Sequence, residues 1–95
     1  MHIGVLTIEF RLHGLTSIKV KRGIASSLKQ KIRNKFNVAV AEVEGLDSTD
    51  ILVLAIVSVA NEARRVDSTM QKALSMVEAA TSEEIVSVNT EIFSG

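Results

Sequence analysis

The residues from Ile51 to Val59 read Ile-Leu-Val-Leu-Ala-Ile-Val-Ser-Val, with one polar side chain among them. Branching at Cβ restricts Ile and Val against the preceding turn of a helix, while the same branching packs well on a pleated surface. The run is therefore read as a strand. Its side chains alternate between two sheet faces, and both sets are apolar, so it is buried on both sides. Such a strand belongs in the middle of a sheet, and the rest of the chain has to build that sheet around it. A membrane helix needs roughly 20 apolar residues in succession, and no stretch of this sequence supplies them.

The flanking segments supply the missing elements. Met1 to Leu12 alternates with period two, placing Leu6, Ile8, Phe10 and Leu12 on one face and Val5, Thr7, Glu9 and Arg11 on the other. That pattern predicts a strand with one buried face. His13-Gly14-Leu15-Thr16-Ser17 provides turn residues and a hydroxyl that can cap a helix. From about Ile18 to Lys35, Val20, Ile24, Leu28 and Ile32 recur every four residues, the apolar stripe of a helix. Gly23 costs that helix about 1 kcal/mol relative to Ala, which suggests that another backbone comes close there. Val38 to Glu44 reads as a second strand, with Val38 and Val40 on one side and Ala39, Ala41 and Val43 on the other. The polar stretch Gly45 to Asp50 is the turn of a hairpin leading into Ile51–Val59, with Asp50 as its pin. Asn61 is the expected N-cap of a second helix reaching about Ala80, with a core stripe of Ala63, Val66, Met70, Ala73, Leu74 and Val77. Ile85 to Phe93 alternates again, with Val86, Val88 and Ile92 as the inner set.

The order βαββαβ, without repeats or a linker, predicts one α+β domain over residues 1–95. Two right-handed crossovers into one sheet give the ferredoxin-like sandwich, a four-stranded antiparallel sheet with two helices on one face. In that arrangement the first and third strands are central, as the two-sided apolar run requires. There is no cysteine, which excludes disulfides, thiolate metal sites and a cysteine nucleophile and fits a reducing compartment. With no basic segment preceding an apolar one at the start, the chain is read as a mature cytoplasmic protein.

With both helices on one sheet face, the other face carries Val5, Ala41, Val43, Val53 and Val57 with nothing in the chain to cover them, because the loops are short. An apolar patch of that kind marks an interface. These five residues are the expected contacts of a homo-oligomer, most simply a dimer joined face to face or edge to edge.

Formal net charge is zero, from 11 basic and 11 acidic side chains, which argues against a strong non-specific nucleic-acid binder and gives no reason to expect DNA as a partner. The distribution is uneven: Arg11 to Lys35 holds eight Lys or Arg and no acid. At 100° per residue Arg22, Lys29 and Arg33 fall within about 40° of one another, opposite the Ile24/Leu28 stripe, with Lys19, Lys21, Lys31 and Lys35 beside them. Such a face can grip phosphates, or it can simply be a solvated helix surface. Lys19, Lys21, Arg22, Lys29 and Arg33 are the candidate RNA- or anion-binding residues. The helix start at Ser17, with free backbone N–H groups, is a second candidate anion site.

No catalytic, metal or cofactor site emerges. Neither G-x-x-x-x-G-K-[ST] nor G-x-G-x-x-G occurs. His2 and His13 lie about 36 Å apart along an extended strand, and His13 has no evident orienting carboxylate. Glu42, Glu44, Asp47 and Asp50 do not match a calcium loop. Three Phe are the only aromatics. With Phe10 and Phe36 placed in the core, base stacking of the kind sheet surfaces use for RNA is disfavoured and any RNA contact is electrostatic.

The stretches Ser17-Ile18-Lys19-Val20-Lys21-Arg22 and Ser27-Leu28-Lys29-Gln30-Lys31-Ile32-Arg33-Asn34-Lys35-Phe36-Asn37-Val38-Ala39-Val40-Ala41-Glu42-Val43 resemble the YlxP-like family of small bacterial proteins, catalogued as a domain of unknown function. Val57-Ser58-Val59-Ala60-Asn61 and Val66-Asp67-Ser68 also match, so the resemblance covers nearly the whole chain. It implies a ferredoxin-like fold, oligomerisation, and a role near ribosome maturation or RNA. Relatives tend to carry an aromatic after the acid that opens the third strand, where this chain has Ile51 after Asp50. The combined expectation is a non-enzymatic accessory protein, associated with ribosomal RNA or a ribosomal subunit through its basic first helix. The alternative is a small-ligand or anion-binding regulatory module acting as a homo-oligomer.

Overall fold

The computed structural model describes residues 1–95. In chain order the elements are β1 (His2–Arg11), α1 (Ile18–Lys35), β2 (Ala39–Glu44), β3 (Ile51–Ala60), α2 (Ala63–Ala80) and β4 (Glu84–Ser94). The strands form one antiparallel sheet in the order β2-β3-β1-β4. β3 and β1 are its central strands, as the two-sided apolar run demanded. The fold is the ferredoxin-like sandwich.

One sheet face carries the core. Leu6, Ile8 and Phe10 of β1 and Leu52, Leu54 and Ile56 of β3 are fully buried, and they pack with Ala25, Leu28 and Ile32 of α1 and Val66, Met70, Ala73 and Val77 of α2. Both helices therefore lie on the same face. The close approach expected at Gly23 occurs elsewhere. Nothing lies within 4 Å of a Cβ built on Gly23, whereas a Cβ on Gly4 of β1 would stand 2.2 Å from Val66 Cγ1. Gly4 is thus the position where α2 rests directly on the sheet backbone.

The stripe of α1 also differs from its sequence reading. Val20 is 51% exposed, and the buried set is Lys21, Ala25, Leu28 and Ile32. This set has helical spacing too, but it contains a lysine, and an apolar-only template skips it. α2 starts one residue later than expected, with Glu62 at the N-cap and no side-chain capping bond, and Ala63 is exposed.

The hairpin is pinned by Ser48, which accepts the Asp50 amide on its hydroxyl, while its own N–H donates to the Gly45 carbonyl; the Asp50 side chain is not the pin. Gly45 has φ +67, and a Cβ there would meet Ile51 Cγ1 at 2.6 Å. Ile51 therefore packs onto a glycine whose left-handed conformation disfavours any side chain. A bulge follows in β2. Glu42 pairs with Leu54 and Glu44 with Val53, so Val43 is the extra residue. In β4 the register puts Ile85, Val88 and Ile92 on the helix side, but Val86, Val88 and Ile92 are 40, 42 and 40% exposed. Only Ile85 of β4 packs against the core, and the expected inner set lies beyond the part of the strand that α2 covers.

Candidate functional site

The true buried direction of α1 fixes where its cations point. With Lys21, Ala25, Leu28 and Ile32 facing the sheet, Arg22, Lys29 and Arg33 lie about 90° round the helix. They flank the core rather than oppose it. Together with Glu42 and Leu46 they line a groove of about 550 Å³ between α1 and the β2 edge. Lys31 lies on the opposite flank, in the groove toward the end of α2, and Lys35 lines a recess beside Phe36 and Met76.

Lys21 does not belong to this exposed set. It is 0% exposed. Its Nζ lies 3.0 Å from Glu42 Oε2 and donates a hydrogen bond to the Gly45 carbonyl. The four-carbon stem fills a core position and the ammonium meets the only carboxylate on the buried face of β2. Glu42 Oε2 is itself buried with no aligned hydrogen-bond donor, so the contact is Coulombic. Lys21 is an internal tie between α1, β2 and the hairpin, and it is unavailable to a partner. A signal for it was present in the sequence: alternation from Val38 and Val40 puts Glu42 on the inner face, and a buried carboxylate calls for a cation.

The remaining α1 cations are free. No carboxylate lies within 4.0 Å of Lys19, Arg22, Lys29, Lys31, Arg33 or Lys35, and α1 contains no acidic residue. Arg33 donates from Nη2 to the Val40 carbonyl at 2.8 Å, which leaves other N–H groups of its guanidinium for a further acceptor. The helix N-terminus is already occupied from within: Ser17 Oγ accepts the amides of Lys19 and Val20 at 3.1 and 3.4 Å. That satisfies two of the donors an anion would have used and removes the support for a site there.

On the open sheet face Val5 and Val57 are register partners, Ala41 lies beside Ala55, and Val43 is 47% exposed on its bulge. Val53 is different. It is only 3% exposed, standing between Glu9 and Glu44, its longer register partners on the same face. It is buried within one copy and has no surface to offer another. Val59 and Phe93, outside the five expected contacts, are 61 and 49% exposed at the apolar end of that face.

The histidines are placed by contacts distant in sequence. His13 Nε2 lies 2.8 Å from Glu84 Oε1, so a carboxylate does orient it, but both side chains are mostly exposed. His2 Nδ1 lies 3.0 Å from Ser94 Oγ, at the other end of β1. No three His, Asp or Glu side chains converge on a point where a metal could sit. No helix is long and apolar enough to cross a membrane.

Comparison with known proteins gives a family and no activity. The model of the family described as "Protein of unknown function (DUF503)" matches residues 3–90. The chain is 24% identical over 91 residues to the uncharacterised protein YlxP of Bacillus subtilis strain 168, covering 96% of this chain and 99% of that one. Among solved structures it is similar to SnoaB, a cofactor-independent oxygenase from Streptomyces nogalater in its N63A form, with TM-score 0.49 and 11% identity over 99% of this chain and 92% of that one. It is also similar to a dimeric ferredoxin-like protein of unknown function from Thermobifida fusca YX, with TM-score 0.42 and 13% identity over 97% and 91% of the two chains.

Proposed function

We propose a role for this chain on the premise that it belongs to the DUF503 family, described as proteins of unknown function: it is a non-enzymatic cytoplasmic accessory protein that works as a homo-oligomer and holds the phosphate backbone of ribosomal RNA along the α1–β2 groove. The observation that carries this reading is the set of α1 cations without carboxylate partners, three of which, Arg22, Lys29 and Arg33, line one groove. Cations left unpaired in a chain of zero net charge concentrate positive potential on one flank, and phosphate is the ligand such a flank attracts. Arg33 is oriented by its bond to Val40, so one guanidinium is held in place before any ligand arrives. Recognition is electrostatic because the surface offers no exposed aromatic platform on that flank.

The test is a titration of purified small-subunit ribosomal RNA by fluorescence anisotropy at several salt concentrations, with duplex DNA of equal length as control. Arg22→Glu/Lys29→Glu should weaken RNA binding at least tenfold at low salt and flatten the slope of log affinity against log salt by about 1.5–2. Adding Arg33→Glu should weaken it further. The double variant is the primary one, because it spares the Arg33–Val40 bond and so the fold. An RNA affinity unchanged in the double variant overturns the reading.

A further inference from the structure

The outer edge of β4 is the longest unpaired backbone in the molecule. β4 runs 11 residues at the sheet margin, and every residue from Val86 onward is exposed. Its pairing with β1 fixes which way the side chains face. Ile8 opposite Val88, Leu6 opposite Thr90 and Gly4 opposite Ile92 put those three on the helix side; Ser87, Asn89 and Glu91 face the open side. Val88 and Ile92 of that row are apolar yet 42 and 40% exposed, whereas Ile85 at the strand's start packs against the core.

Read backwards, the strand matches itself. A two-fold axis through Asn89 sets Val88 against the partner's Thr90, Ser87 against the partner's Glu91, and Asn89 against the partner's Asn89, and brings Val86, on the β4 bulge, near the partner's Ile92. On the helix side the β-branched Val88 and Thr90 meet, and Glu91 meets the Ser87 hydroxyl rather than another acid. A slip of one residue in either direction destroys the match: Val86 or Val88 would face the partner's Glu91. We infer that β4 is a docking edge for a second copy of this chain, paired antiparallel about Asn89, so that two four-stranded sheets become one of eight strands. An axis normal to the sheet keeps the helices of both copies on one face, and the Val88 and Ile92 rows merge into a shared apolar strip between the two α2 helices. The inference rests on the homo-oligomeric part of the reading above and is independent of RNA.

The absence of cysteine makes the register directly measurable. Directly opposed residues of an antiparallel pair have Cα atoms about 4.5–5.5 Å apart, within disulfide reach. Asn89→Cys should therefore give a covalent dimer under mild oxidation on a non-reducing gel. Ser87→Cys should not, because its two copies would lie about 13 Å apart along the strands. Sedimentation should find the native chain at twice 10.3 kDa and the Val88→Lys/Ile92→Lys variant at one copy, with unchanged circular dichroism. A monomeric native chain overturns both this inference and the homo-oligomeric reading. A native dimer in which Ser87→Cys cross-links and Asn89→Cys does not overturns the register alone. A dimer dissolved by Val57→Lys but not by Val88→Lys/Ile92→Lys assigns the interface to the open face and overturns the edge.

Discussion

The sheet has two edges, and the chain treats them in opposite ways. β2 is six residues long, carries the Val43 bulge, and runs beside α1, whose Arg33 caps the Val40 carbonyl and whose Lys21 is tied to Glu42. Short length, a bulge and a cationic neighbour are the devices by which proteins keep an edge from adding strands. β4 is 11 residues long, contains no Lys and no Pro, has its own bulge only near its start, at Val86, and leaves Val88 and Ile92 about two-fifths exposed over the regular stretch that follows. From Ser87 to Ser94 the edge is regular, unpaired and free of Lys and Pro, the kind of stretch that adds strands. The contrast divides the molecule: on the β2 side the groups hold the fold and present charge, and on the β4 side they are free to assemble.

The β2 side depends most on Lys21. Lys21→Met keeps the stem and removes the charge, leaving Glu42 buried without its counter-ion. Stability measured by urea unfolding should fall by about 3–5 kcal/mol. Lys21→Met/Glu42→Leu should recover most of that loss, since replacing a whole buried pair by apolar groups is close to neutral. Failure of the double variant to recover would mean that the tie to Gly45, rather than the pair, is what matters. Arg33→Ala should cost about 1 kcal/mol for the lost bond to Val40. It should also raise the salt-dependent tendency of the protein to associate through β2, read by light scattering.

On the other edge, Val88→Lys should change unfolding free energy by no more than about 0.5 kcal/mol at a concentration where the chain is monomeric. A loss of several kcal/mol there would show that β4 helps hold the monomer and would erase the contrast. The smallest effect is expected at Gly23. It has helical geometry and open space around it, so Gly23→Ala should stabilise the protein by about 0.5–1 kcal/mol in the same urea assay.

The elements and their order were readable because each rests on local periodicity. Leu6, Ile8 and Phe10 alternate, Val66, Met70, Ala73 and Val77 follow a helical stripe, and both patterns survive in the structure. The α1 stripe is displaced because polarity does not always mean exposure: Lys21 brings a long apolar stem into the core and finds Glu42. The basic cluster was legible as a cluster, but its direction was not: the angle that separates "opposite the core" from "beside β2" depends on which residues are buried. Val53 was assigned to the correct face of the sheet, but its burial depends on Glu9 and Glu44, neighbours across strands that no local pattern joins. His13 and Glu84 are 71 residues apart and meet only through the β1–β4 ladder.

The sequence by itself determined the secondary structure, the central place of Ile51–Val59, the single core and the polarised charge, because composition and period act over a few residues. Tertiary structure alone decided that Lys21 is the cation that answers the inward Glu42, that Gly4 rather than Gly23 receives a neighbouring element, and that one edge is tied to a helix while the other is left exposed. Those outcomes depend on which surfaces are brought into contact across the sheet. The same Val-Ile pattern is core where a helix lies over it, as in β1 and β3, and surface where the helix layer ends at β4.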